Sequence, residues 1–126
     1  MRVVRQLYDM FNAGGAEAVR GLFDPDVVFK EPPEQPGATT FRGLEAVLKG
    51  FGKWSENWVS HRIEPERLVD LGDRVLALEH HMLRGRDGIE VDAHAGNIWT
   101  VRHGQITRFE AWWDQAKALR AAGLDE

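Results

Sequence analysis

The chain contains no cysteine. That excludes a disulfide framework, a thiolate nucleophile and a zinc–thiolate site together. It has no apolar run near the ~20 residues of a membrane-spanning helix, so no membrane partner is expected. It has no strong charge of one sign. A formal net charge of −4 comes from acids and bases mixed along the sequence, which is not a nucleic-acid footprint. No glycine-rich phosphate loop follows a strand pattern, and no G-x-S-x-G elbow is present. No spacing matches a metal-ligand motif, so neither metal nor cofactor is expected. The opening MRVVRQLYDMF is amphipathic and already carries Asp9. It does not read as a secretory signal, and a cytoplasmic location is expected.

What remains is a chain of 126 residues with five tryptophans. That length suits one domain over 1–126 with a core that needs no staples. Arginine far outnumbers lysine, a bias of GC-rich bacterial genomes. Large aromatics line cores and ligand pockets alike.

Periodicity divides the chain in two. Val4, Leu7 and Phe11 share a helical face, with Val3 and Met10 beside it, and Asn12-Ala13-Gly14-Gly15 closes that helix. A short second helix is expected over Ala16 to Leu22, then a turn at Asp24-Pro25-Asp26. Val27 to Glu31 reads as a short strand, and the three prolines of Pro32 to Gly37 forbid regular structure after it. Leu44, Val47, Leu48, Phe51, Trp54 and Trp58 step by three and four, predicting a helix over Leu44 to Trp58. From there the period is two. Strands are expected over His61–Leu71, Arg74–Arg84, Ile89–Val101 and Gln105–Trp113. Asp114 reads as the N-cap of a helix over Gln115–Ala121. Helices first and strands joined by short turns afterwards make an α+β domain with a mostly antiparallel sheet.

Four stretches carry a family resemblance: LYDMFNAGG, LFDPDVVFKEPPEQPG, FRGLEAVLKGF and NIWTVRHGQITRFEAWWDQAKALRAAGL. With them the chain resembles the SnoaL-like group of the nuclear transport factor 2-like superfamily. The resemblance implies a cone: a bent sheet wrapped around N-terminal helices, with an apolar pocket between. It also implies a homodimer and a small hydrophobic ligand. Fold alone does not fix function.

Candidate chemistry follows from residues and resemblance together. Glu31 precedes Pro32 at a strand end, where the similar ketosteroid isomerases place a general base. Asn97 falls where those isomerases place an oxyanion-hole acid, and an amide donates without a shifted pKa. Glu79 and His81 share a strand face with Val75 and Ala77, while Leu76, Leu78, His80 and Met82 share the other. Both faces begin apolar, so periodicity leaves open which one looks inward. In the similar limonene epoxide hydrolases a charged pair at this place holds the attacking water. If the Leu76 face is inward, His80 takes the role.

Two departures matter. The last-strand Asp of the epoxide hydrolases and SnoaL-type cyclases corresponds to Ala111, with Glu110 facing the other way. The first-helix Tyr of the isomerases corresponds to Leu7, and Tyr8 lies ~100° round the helix. Trp54, Trp58, Trp99, Phe109 and Trp113 are expected to close or line the pocket, with Tyr8 as a further wall residue. Trp112 has outward parity and suits a dimer contact. Adjacent His80 and His81 point to opposite faces. Asp92 and His94 share a face that is expected to be the outer one.

The leading expectation is a cofactor-free acid/base enzyme of isomerase, cyclase or hydratase/hydrolase type. It would act on a flat hydrophobic polyketide- or terpenoid-like molecule. Glu31 would be the base, Asn97 would polarise a carbonyl, and His81 or Glu79 would relay protons. The alternatives are a non-catalytic binder of hydrophobic ligands and a domain that serves association only.

Overall fold

The structure is a computed structural model that describes residues 1–124. Helix α1 (Arg2–Ala18) buries Val3, Val4, Leu7, Tyr8 and Phe11. These positions form a stripe two residues wide, so the helix has a broad apolar face. The expected glycine break is present as a kink inside the element: Gly15 has φ 75° and ψ −158°, a region closed to most side chains. The expected helix over 16–22 is shorter. Only Ala16–Ala18 continues α1, and Arg20–Leu22 forms a single 3₁₀ turn.

Strand β1 (Phe23–Lys30) corrects the expected turn at 24–26. The stretch is extended, and its pairing with the last strand shifts register between Phe23 and Val28. Pro25 supplies no ladder donor, and the Asp26 N–H turns to the Asp24 carboxylate at 2.7 Å. Turn-type residues here make an irregularity within a strand. The short β2 (Thr40–Arg42) was not expected, and pairs antiparallel with β1. Helix α2 (Leu44–Glu56) stops two residues before Trp58.

Strands β3 (Ser60–Asp70), β4 (Arg74–Arg84), β5 (Glu90–Arg102) and β6 (Gln105–Trp112) follow, then α3 (Gln115–Ala121). The Asp114 side chain accepts the Ala116 N–H at 2.8 Å, so the expected cap is made. The sheet order is β2-β1-β6-β5-β4-β3. Every neighbouring pair is antiparallel except β1 with β6, which is parallel. The sheet is thus mixed and open, and among the described residues three α-helices accompany it.

Two apolar clusters explain why both faces of β4 looked alike in sequence. On one side α1 and α2 pack on Val75, Ala77, Trp99 and Phe109. On the other, α3 covers Leu76, Leu78 and Ile98 with Ala118 and Ala122. Gly96 lets α3 approach: a Cβ there would lie 2.5 Å from the Ala118 methyl. Helix α1 touches both β3 and β6, across the intervening β4 and β5. A sheet that brings strands so far apart in its order to one helix must curve around it. The bulges in β3 between Pro65 and Arg67 and in β6 at Thr107 help it bend. Asn12 ties α1 to the edge strand, donating to the Ile63 carbonyl at 2.8 Å and accepting its N–H at 2.9 Å.

Among the described residues no helix is long and apolar enough to cross a membrane.

Candidate functional site

A cavity of about 210 Å³ opens between α1, α2 and the inner face of the sheet. All the aromatic side chains except Phe23 and Trp58 line it. Along one wall the rings stack: Phe29 on Phe109 at 4.3 Å, and Phe109 on Trp99 at 4.6 Å. The strand period produces this column. Trp99 and Phe109 are paired neighbours across β5 and β6, and Phe29 and Phe109 across β1 and β6.

The polar groups gather on Glu79, the one charged side chain buried among the described residues, at 2% exposure. The Tyr8 hydroxyl donates to Oε2. Asn97 Nδ2 donates to Oε1 at 2.8 Å, and His81 Nε2 lies 3.0 Å from the same oxygen. Trp99 Nε1 in turn donates to the Tyr8 hydroxyl at 3.1 Å. A carboxylate accepts and cannot donate, so this contact places the His81 proton on Nε2. His81 Nδ1 has no partner among the described residues. Nor do the second amide hydrogen and the carbonyl of Asn97. Burial, then the charge of Glu79 and its hydrogen bond, push the Tyr8 phenol well above its usual value, outweighing the opposing bond from Trp99. Tyr8 therefore stays a neutral donor.

The open question of the β4 face is answered by geometry. Val75, Ala77, Glu79 and His81 look inward, and Asn97 joins them from β5, opposite Ala77. Tyr8 lies as far inward as Leu7, although it sits one step round the helix, and it lines the cavity. Ala111 lines the cavity and brings no acid to it. Glu110 engages Arg108 instead, at 2.8 Å.

Glu31 lines the same cavity but makes no hydrogen bond to the Glu79 group. Its carboxylate holds the Pro-rich loop, accepting Gln35 Nε2 at 2.9 Å and the Thr39 N–H at 3.1 Å. Glu34 fastens that loop to the end of β6 through the N–H groups of Trp113 and Asp114. Partial burial opposes ionisation of Glu34, but those N–H groups and Lys117 outweigh it and hold its carboxyl below the usual value.

The tryptophans divide. Trp54 and Trp99 line the cavity as expected. Trp58 does not: α2 ends before it, and it leans on Trp54 while facing a shallow cleft beside the β4–β5 turn. Trp113 is not core. It is 50% exposed, because β6 ends at Trp112, and it sits at the rim of the cavity. Trp112 packs on the outer cluster under α3 while an edge reaches the cavity.

His61 had no role in the sequence reading. Its ring packs 5.2 Å from Phe11 and 5.3 Å from Trp54, and burial lowers its pKa below the usual imidazole value. On the outer face His80 and His94 stack at 4.7 Å, held by Asp92 and Glu66 respectively. Gln115 from α3 reaches the backbone carbonyls of Glu79 and Ala95 from that side, at 3.3 and 3.2 Å. It braces the strand pair that presents Glu79.

Comparison with known proteins agrees with this architecture. No curated protein matches the chain. An NTF2-like protein of unknown function from Burkholderia pseudomallei superposes with a TM-score of 0.79 at 21% identity, over 95% of this chain and 94% of that one. TerC, co-crystallized with polyporic acid, gives 0.79 at 20% identity, over 97% and 96%. A protein from Jannaschia, named as a candidate SnoaL-like polyketide cyclase, gives 0.77 at 17% identity, over 99% and 92%. At these identities the likeness is one of fold. The model of the SnoaL-like domain matches residues 4–109, and the chain belongs to the SnoaL-like domain family.

Proposed function

We propose that the protein is a cofactor-free acid/base enzyme that moves a proton on a flat, largely apolar small molecule, as in isomerisation or cyclisation. The observation that carries this is the Glu79–His81 pair at an aromatic cavity. Glu79 fixes the Nε2–H tautomer of His81, which leaves the Nδ1 lone pair as a base. When Nδ1 takes a proton from carbon, the imidazolium that forms sits against the Glu79 carboxylate, which stabilises it. The unengaged amide hydrogen of Asn97 donates to the carbonyl that becomes an enolate. Tyr8 does not touch substrate in this scheme and positions Glu79. The His81 imidazolium then returns that proton elsewhere on the substrate, and Glu31, beside the Pro-rich loop, is a second carboxylate in the cavity wall. Membership of the SnoaL-like family supports a small-molecule cyclase or isomerase-type role.

A second reading is a non-catalytic carrier of the same ligand class. Ala111 favours it, because the inner face of β6 contributes no acid. The protein's action on 2-tetralone, an uncharged planar carbon acid, separates the two. The enzyme reading expects faster exchange of the α-hydrogens in D₂O. It also expects His81→Gln to slow that exchange by about 10²-fold or more while melting stays within a few degrees. Binding of 2-tetralone without any acceleration of exchange would establish the carrier.

A further inference from the structure

We infer that the ligand of this cavity carries a positive charge, and is a planar molecule bearing a protonated amine. This rests on the cavity being the ligand site, and not on the proton transfer proposed for it.

Three observations carry the inference. The first is charge without compensation. Among the described residues two carboxylates, Glu31 and Glu79, line the cavity, and no lysine or arginine does. Every hydrogen bond they accept comes from a neutral donor or from His81: Gln35 and the Thr39 N–H for Glu31, and Tyr8, Asn97 and His81 for Glu79. Most ion pairs of the described residues elsewhere use arginine, though Asp92 and Glu66 meet His80 and His94. Glu17 and Glu45 share Arg20, Glu64 faces Arg62, and Glu110 faces Arg108. Several surface carboxylates here have arginine partners, and the two in the cavity wall do not.

The second observation is the wall itself. Aromatic faces are electronegative and attract cations, most strongly where water is excluded. Trp54 lines the cavity beside those carboxylates and meets His81 edge-on, while Phe109 is sandwiched between Phe29 and Trp99 and has no free face. The third is the low dielectric of such a lining, which makes each uncompensated charge act at longer range than in water. An anionic ligand would meet two carboxylates and the Trp54 ring with only His81 to offset them. An ammonium group would complete the site.

Calorimetric titration of the whole chain with three ligands of one shape tests this: 2-naphthylmethylamine, 2-naphthalenemethanol and 2-naphthoate at neutral pH. The amine is expected to bind about tenfold or more tighter than the alcohol, and the carboxylate about tenfold or more weaker than the alcohol. Glu31→Gln, whose oxygen keeps the Thr39 contact and whose amide pairs with Gln35 once that side chain turns its own amide over, is expected to narrow the amine-to-alcohol ratio several-fold. Equal affinities for amine and alcohol, or a carboxylate that binds as well as the amine, would overturn the inference. So would a ratio that Glu31→Gln leaves unchanged. Binding of the alcohol with accelerated 2-tetralone exchange, but no preference for the amine, would overturn it and leave the enzyme reading standing. No binding by any of the three would overturn the inference, and 2-tetralone exchange would decide the enzyme reading separately.

Discussion

Tyr8 is the only tyrosine in the chain, so phenolate absorbance near 295 nm reports one hydroxyl. That hydroxyl is buried, donates to Glu79 and accepts from Trp99. Its pKa is raised well above the usual value, first by burial, then by the charge and hydrogen bond of Glu79. The sign of the pH dependence follows. Below about pH 10 the phenol is neutral in both folded and unfolded chains and contributes no slope. Above it the unfolded chain releases the proton and the folded chain keeps it, so stability falls as pH rises. Phenolate should therefore appear only with unfolding. Tyr8→Phe removes a hydrogen bond to a carboxylate, worth about 1.5–3 kcal/mol, and leaves Trp99 Nε1 without a partner. The total loss should be about 2–4 kcal/mol. Urea unfolding at neutral pH measures that loss. Absorbance and far-UV circular dichroism, followed together from pH 8 upward with Tyr8→Phe as the blank, measure the ionisation. Phenolate forming near pH 10 with the dichroism unchanged would show that the hydroxyl reaches water, and the buried Glu79 group would not exist as described.

Two further substitutions test how the site is held. Gly96→Ala forces a methyl to within 2.5 Å of Ala118. It should cost about 1–3 kcal/mol and raise amide exchange in α3 before the rest of the chain, whereas unchanged exchange would show that α3 does not rest there. Asn12→Ala strips both main-chain bonds from Ile63. It should destabilise by about 1–2 kcal/mol and loosen β3 selectively, as read by hydrogen exchange.

Much of this molecule was legible in its sequence where local chemistry decides structure. The limits of β4 and the Asp114 cap of α3 were read to the residue, because alternation ends at turn residues and the cap is a side chain. Other features depend on tertiary partners. Asp24-Pro25-Asp26 has the composition of a turn, yet β6 recruits it as extended strand. Thr40 to Arg42 has no period long enough to show, and is a strand only because β1 lies beside it. The inward face of β4 could not be chosen, since α3 buries Leu76 and Leu78 as thoroughly as α1 and α2 bury Val75 and Ala77. Tyr8 was underrated by counting from Leu7 alone. The pairs Val3–Leu7 and Val4–Tyr8 already marked a stripe two residues wide, and that signal was in the sequence. The convergence of Tyr8, Asn97 and His81 on Glu79 was not, because it joins three elements through register and helix docking.

Nitrogen-15 NMR of the His81 ring, with and without a bound planar ligand, reaches the core of the proposal. The expected spectrum shows Nε2 protonated and Nδ1 unprotonated in the free protein, with Nδ1 moving when 2-tetralone is added. The Nδ1–H tautomer, or an Nδ1 resonance indifferent to a ligand that binds, would show that His81 is not the base of this cavity.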